Sequence, residues 1–215
     1  MKRLSVGVLV AYAIMLHVVP SAAAQNLLVN PSFEDPITAD GPPFVGFWEA
    51  FQGAGATAIR DTVDPLSGAG HMSIAINNMN NSFAGMFQDV EGLIPGQEVT
   101  FNLFHKTTSL PYDLVSEMRI EWRAVGVGAE ISRTPNLTTS PTDAYSPLTL
   151  TANVPAGADT ARVVYAIQSF TNGVLSDLGT VYVDDASVIA ETAVPEPSSS
   201  ALLGLCLAGL SLRRR

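Results

Sequence analysis

The stretch Glu117-Met118-Arg119-Ile120-Glu121-Trp122-Arg123-Ala124 alternates charged and apolar residues without a break. In an extended chain successive side chains point to opposite faces. Met118, Ile120, Trp122 and Ala124 therefore share one side and the four charges the other, the pattern of a strand with one dry and one wet face. The same rhythm returns at Val99, Phe101 and Leu103, at Leu148, Leu150, Ala152 and Val154, and at Ala161, Val163, Tyr165 and Ile167. Val181-Tyr182-Val183 opens a last strand. Turn-forming runs separate these segments: Pro65-Leu66-Ser67-Gly68, Ile94-Pro95-Gly96-Gln97, Pro155-Ala156-Gly157-Ala158 and Thr171-Asn172-Gly173. No window between Asn26 and Ala190 places apolar residues at the i, i+3, i+4, i+7 spacing of an amphipathic helix. Short strands divided by turns bury their apolar faces only against another sheet. The pattern predicts an all-β fold, an antiparallel β-sandwich or jelly roll, over residues 25–192.

Both ends of the chain depart from this pattern. Met1-Lys2-Arg3 precedes an apolar run from Leu4 to Val19, and Ala22-Ala23-Ala24 follows it, small residues at both key positions of a cleavage site. A basic start, a short apolar stretch and such a site read as a signal peptide over residues 1–24, cut between Ala24 and Gln25. At the other end, Val194-Pro195-Glu196-Pro197-Ser198-Ser199-Ser200 leads into an apolar segment from Ala201 to Leu212, and then Arg213-Arg214-Arg215. Terminal arginines hold such a segment on the cytoplasmic side. The segment falls short of the ~20 residues of a comfortable span, which fits transient membrane anchoring by an apolar helix better than a permanent one. This tail resembles the PEP-CTERM sorting signal of Gram-negative bacteria. The resemblance implies recognition of Pro195, Glu196, Pro197 and the basic end by an exosortase-like membrane protease and processing between Val194 and Pro197. It also implies export across the inner membrane to the cell surface or extracellular matrix, often in producers of extracellular polysaccharide. Residues 193–215 form this segment.

The ends also hide the charge. The chain holds 11 basic and 20 acidic residues, a net −9. Lys2, Arg3 and Arg213 to Arg215 lie in the ends, so six basic residues face the 20 acidic ones between them: a net −14, or −13 once Glu196 is also set aside. That balance argues against nucleic acid, whose phosphates require clustered Lys and Arg, and suits neutral glycans or divalent cations. The one cysteine, Cys206, lies in the tail, so the domain has no disulfide and no thiol.

Further motifs lie along the domain. It opens Asn26-Leu27-Leu28-Val29-Asn30-Pro31-Ser32-Phe33-Glu34, continues through Gly46-Phe47-Trp48, His71-Met72-Ser73-Ile74, Phe87-Gln88-Asp89-Val90 and Gly92-Leu93-Ile94-Pro95-Gly96, and closes Val181-Tyr182-Val183-Asp184-Asp185-Ala186-Ser187-Val188. This succession resembles the xylan- and glucan-binding carbohydrate-binding modules, which share a galactose-binding-like jelly roll. The resemblance implies binding of extracellular polysaccharide without catalysis. It also implies a structural calcium held by the carboxylate of the opening motif and an aspartate of the closing one, by match Glu34 and Asp184, with carbonyls near Ser32. All-oxygen donors of this kind suit Ca2+. The residues alone allow another arrangement, in which Glu34 and Asp184 cap turns or pair with Arg60 or Arg162. A structural matrix or coat protein with no sugar affinity is the other functional reading.

Sugar rings stack on exposed aromatic faces. The candidates are Trp48, Trp122 and Tyr112. Trp122 shares a face with Met118 and Ile120, and Trp48 follows the opening strand, so core packing is favoured for both; Tyr112 lies in a Pro-containing loop. No nucleophile elbow or His-Glu-x-x-His motif is present, and His71 and His105 sit in strand contexts, so no enzyme is expected.

Overall fold

The computed structural model describes residues 25–77, 80–124, 128–170 and 178–191. The expected signal peptide, the tail with its expected anchor helix, and the turn expected at Thr171-Asn172-Gly173 lie outside the described residues.

Among these residues there are only strands: β1 (Glu49–Gln52), β2 (Ala56–Asp61), β3 (His71–Asn77), β4 (Phe83–Glu91), β5 (Glu98–Thr107), β6 (Val115–Arg123), β7 (Glu130–Arg133), β8 (Leu137–Thr139), β9 (Ser146–Asn153), β10 (Thr160–Gln168) and β11 (Leu178–Ala190). They form two sheets. One runs β1-β4-β10-β6-β7, with β8 also on β6; the other runs β2-β3-β11-β5-β9. Every pairing between these strands is antiparallel. Sequence neighbours β4 and β5 lie in different sheets, as do β9 and β10, so the chain crosses the sandwich repeatedly, as a jelly roll requires.

The alternation of the sequence decides which faces meet. Met118, Ile120 and Trp122 from β6, Val163, Tyr165 and Ile167 from β10, and Met86 from β4 pack against Ile74, Phe101, Leu103, Val181 and Val183 of the other sheet, and all are buried. Each such side chain contributes about 1.5–3 kcal/mol by leaving water. β9 is an edge strand, which leaves Leu150 and Ala152 only partly covered. Two histidines are buried. His105 of β5 points inward, its Nδ1 2.8 Å from the Tyr165 hydroxyl. His71 of β3 is fully covered on the opposite face of its sheet, stacked on Tyr182 and bonded through Nδ1 to the Tyr145 hydroxyl at 2.6 Å.

One expectation is corrected. The charged face of β6 is not wet: Glu117 and Glu121 are buried, at 8% and 5% exposure. β7 and β8 add to the sheet beside β6, and β10 lies on its other side, so the four charges face one another and their sheet neighbours instead of water.

Candidate functional site

The outer face of the β1-β4-β10-β6-β7 sheet is built in rows by its register. Phe51, Gly85, Ala166 and Glu117 are cross-strand partners, as are Glu49, Phe87, Val164 and Arg119, and then Asp89, Arg162 and Glu121. Antiparallel partners point the same way, so each row stands on one surface. Small residues at the middle of the first row, Gly85 and Ala166, leave a trough. A Cβ on Gly85 would lie 2.5 Å from the Phe51 ring and 2.5 Å from the Tyr165 carbonyl oxygen. Glycine is what lets the Phe51 ring lie down on the sheet. The resulting groove has a volume of about 310 Å³ and is lined by Phe51, Phe83 and Phe170 on one side and by Glu117, Arg119 and Gln168 on the other.

Its apolar wall is a chain of rings. Phe170, Phe83, Phe51, Phe87 and Phe44 follow one another at centroid separations of 6.0, 6.2, 6.0 and 5.0 Å. Phe170 and Phe83, at 50% and 38% exposure, form the open end. At the inner end Arg162 lies over Phe87 and Phe44, 4.0 and 4.7 Å from their centroids, while its guanidinium grips the fully covered Asp89 carboxylate at 2.7 and 2.8 Å. Arginine over an aromatic face gains from the ring quadrupole.

The polar wall is a ladder of ion pairs. Arg119 donates to Glu117 at 2.6 Å and to Glu121 at 2.8 Å; Arg123 donates to Glu121 at 3.0 Å; Arg133 pairs with Glu130. The second oxygen of Glu117 accepts from Asn136 at 2.7 Å and Gln168 at 2.9 Å. Within the ladder Glu117, Glu121 and Glu130 are balanced by Arg119, Arg123 and Arg133, and Asp89 by Arg162, so these paired groups carry no net charge. Four of the six basic residues between the two ends stand here, while most of the carboxylates lie elsewhere.

The sequence-derived aromatics are elsewhere. Trp48 is buried at 2% exposure, its indole N–H donating to the Asn30 carbonyl at 3.0 Å and its ring 5.2 Å from Phe33. Trp122 is buried at 4% in the core. Tyr112 packs against the core and bonds the Ser116 hydroxyl at 2.5 Å, and burial pushes its phenol up. None of the three presents a face to a ligand in this arrangement. Sequence reasoning that looked only at Trp and Tyr missed the phenylalanines. The available signal was the run Ser82-Phe83-Ala84-Gly85-Met86-Phe87, where the glycine sits between two aromatics of one face.

Glu34 and Asp184, by contrast, do converge on one loop. The register of β11 on β5 slips between Asp184 and Ser187, and Asp185 has φ 46°. That bulge turns two successive carboxylates toward residues 65–69, where a regular strand would send them to opposite faces. Asp184 Oδ2 accepts from the amides of Leu66 and Ser67 at 2.8 and 3.1 Å, and its Oδ1 from the Asp185 amide at 2.8 Å. Asp185 accepts from the hydroxyls of Ser32 and Ser67 at 2.9 and 2.7 Å. Glu34 accepts from the Ala69 amide at 2.9 Å. Burial pushes the Asp184 carboxyl up. The group is all hard oxygen, and among the described residues no Lys or Arg forms an ion pair with any of the three. Arg60 donates instead to the Phe33 carbonyl at 2.7 Å. The donor type suits Ca2+, but the carboxylates here cap a turn. Among the described residues no three His, Cys, Asp or Glu side chains are grouped to hold a metal ion.

Residues 193–215 match the PEP-CTERM protein-sorting motif. This motif indicates export and sorting to the cell surface or extracellular space. No curated protein matches the chain in sequence. Solved structures share its sandwich. The CBM22-1 xylan-binding domain of Paenibacillus barcinonensis Xyn10C aligns at TM-score 0.53 and 16% identity, over 80% of this chain and 98% of that one. The enzymatically active domain of tailspike protein 4 of bacteriophage CBA120 aligns at TM-score 0.58 and 15% identity, over 77% of this chain. This chain spans only 21% of that tailspike domain. The CBM22-1-GH10 modules of the Clostridium thermocellum xylanase 10B align at TM-score 0.52 and 12% identity, over 82% of this chain and 30% of that one. At such identities the likeness is one of fold, an all-β jelly-roll sandwich that this chain shares with these domains.

Proposed function

We propose that this chain is an exported, non-catalytic polysaccharide-binding protein, sorted by an exosortase-type system, and that a neutral glycan lies in the groove between Phe83 and Arg119. The observation that carries the reading is the groove's two unlike walls. Phenylalanine faces suit the apolar C–H faces of sugar rings. The opposite wall offers Gln168 and the paired charges of Glu117 and Arg119, the donors and acceptors that read hydroxyls. Because the ladder is internally neutralised, the groove has no net charge for an anionic polymer to find, and the remaining surface of the domain repels one. The fold shared with a domain described as xylan-binding supports this reading.

Retention of the chain on insoluble neutral and acidic polysaccharides tests it. The expected result is retention on a neutral polymer, weakened about tenfold by Phe83→Ala, the loss of roughly 1.4 kcal/mol of ring contact. Phe83 is exposed enough that its removal leaves folding intact. Failure to bind any polysaccharide, or unchanged binding by both Phe83→Ala and Phe51→Ala, would sink the proposal.

We also propose, as a structural element, a calcium ion at the Glu34, Asp184 and Asp185 loop. The all-oxygen donor type and the lack, among the described residues, of an ion-paired Lys or Arg support it; the three side chains are not grouped around one point, so the ion would have to draw them together, tying the opening segment to β11.

A further inference from the structure

We infer that the domain is held by the end of the sandwich opposite the groove mouth, so that the groove is presented away from whatever surface the sorting tail is attached to. The inference rests on the groove being the binding face, and on how the strands run. Glu91, Thr160 and Arg123 are aligned across β4, β10 and β6, and Glu98 and Asn153 across β5 and β9. Turns join Glu91 to Glu98 and Asn153 to Thr160, so all of these residues mark one end of the sandwich. β11 leaves the fold there: Ala190 is aligned with Val99, the Glu191 amide donates to the Glu98 carbonyl at 2.9 Å, and the Gln97 side chain donates to the Glu191 carbonyl at 2.8 Å. The departing chain is thus pinned by two hydrogen bonds at the start of β5, just before the sorting motif begins at residue 193. The opening segment starts near the same place: Leu27 donates to the Val188 carbonyl at 2.8 Å and, farther along, Pro31 accepts from the Ala186 amide at 2.9 Å, an antiparallel order.

The groove mouth lies at the other end. Phe83 starts β4, its partner Gln168 ends β10, and Phe170 follows. β4 runs nine residues from Phe83 to Glu91, about 27 Å from end to end. From Glu191 to Val194 the chain reaches at most about 10 Å. A tether much shorter than the sandwich keeps the pinned end, with the turns around Pro95 and Ala156, against the anchoring surface. The mouth cannot swing to it.

Amine accessibility tests this without any glycan. Lys106 is the only lysine outside the signal segment, and it is buried and bonded to Asp64 at 2.6 Å. New lysines are therefore readable by peptide mapping. The chain from Gln25 onward, carrying Cys206→Ser and Val194→Cys, is coupled through that new thiol to vesicles of phosphatidylcholine containing a maleimide lipid. Ala156→Lys probes the pinned end and Thr108→Lys, just beyond β5, the mouth end; both positions are exposed. With a bulky amine-reactive polyethylene glycol, Ala156→Lys should react severalfold more slowly on vesicles than in free solution, and Thr108→Lys at the same rate in both. Equal rates at Ala156→Lys, equal slowing at both positions, or slowing at Thr108→Lys alone overturns the inference. A protein that shows the expected labelling yet retains no polysaccharide sinks the binding reading and leaves the orientation standing.

Discussion

Acidification should unfold this domain partly through one residue, His105. Its ring is buried at 2% exposure between the sheets, hydrogen-bonded through Nδ1 to a tyrosine that is itself fully covered. Burial pushes the imidazole down to about 4. The unfolded chain takes up the same proton near pH 6.5. Between those two values the unfolded state binds more protons than the folded one, so stability is full above about 6.5 and falls as pH drops towards 4. The whole gap corresponds to about 3.4 kcal/mol, and about 2.5 kcal/mol of it is lost by pH 4.5. Other groups also titrate. Lys106 holds Asp64 down and Arg133 holds Glu130 down, which adds to acid sensitivity, whereas Asp184 is raised and opposes it. Comparison with His105→Asn removes these shared contributions, because asparagine keeps a polar atom near the Tyr165 hydroxyl and cannot take up the proton. Urea unfolding of both proteins at pH 7.5 and 4.5 gives the two differences. The wild type should lose about 2.5 kcal/mol more than the variant. Equal losses would show that His105 does not carry the acid response, and the argument from burial would fail.

Three further outcomes follow from the same geometry. Gly85→Ala forces a methyl against the Tyr165 carbonyl and the Phe51 ring at 2.5 Å; it should cost about 1–3 kcal/mol in denaturant unfolding and weaken polysaccharide retention by lifting Phe51. Arg162→Met strands the fully covered Asp89 carboxylate and should cost about 3–5 kcal/mol, while Asp89→Leu combined with Arg162→Met recovers most of that loss; an equal loss in both variants would refute the pairing argument. Removing calcium with a chelator should lower the melting temperature of the domain, and Asp185→Asn should reduce that effect; a melting temperature indifferent to the chelator rules out the ion.

The strands were legible because alternation is local. Met118, Ile120 and Trp122 face inward since a pleated backbone leaves them no other choice once their neighbours are charged. The turn at 65–68 was legible for a similar reason, Pro and Gly restricting or freeing φ within the turn itself. That Glu34 and Asp184 cap turns was one of the arrangements the residues themselves allowed; that both cap the same turn, and that Asp185 joins them, depends on a bulge that no local pattern announces. The binding face was read least well. Phe51, Phe83 and Phe170 become one wall only through the pairing of β1 with β4 and of β4 with β10, and the charged face of β6 is dry only because β7, β8 and β10 flank it.

By itself, then, the sequence determined an all-β domain, its inward-facing residues and the sorting motif behind it, all of which depend on residues adjacent in the chain. Register, the neutralised ion-pair ladder, the groove, and the end of the sandwich from which the tail departs were decided only by the tertiary structure. Each requires side chains many residues apart to stand within a few ångströms, and a period of two states which face a residue takes without stating what stands opposite it.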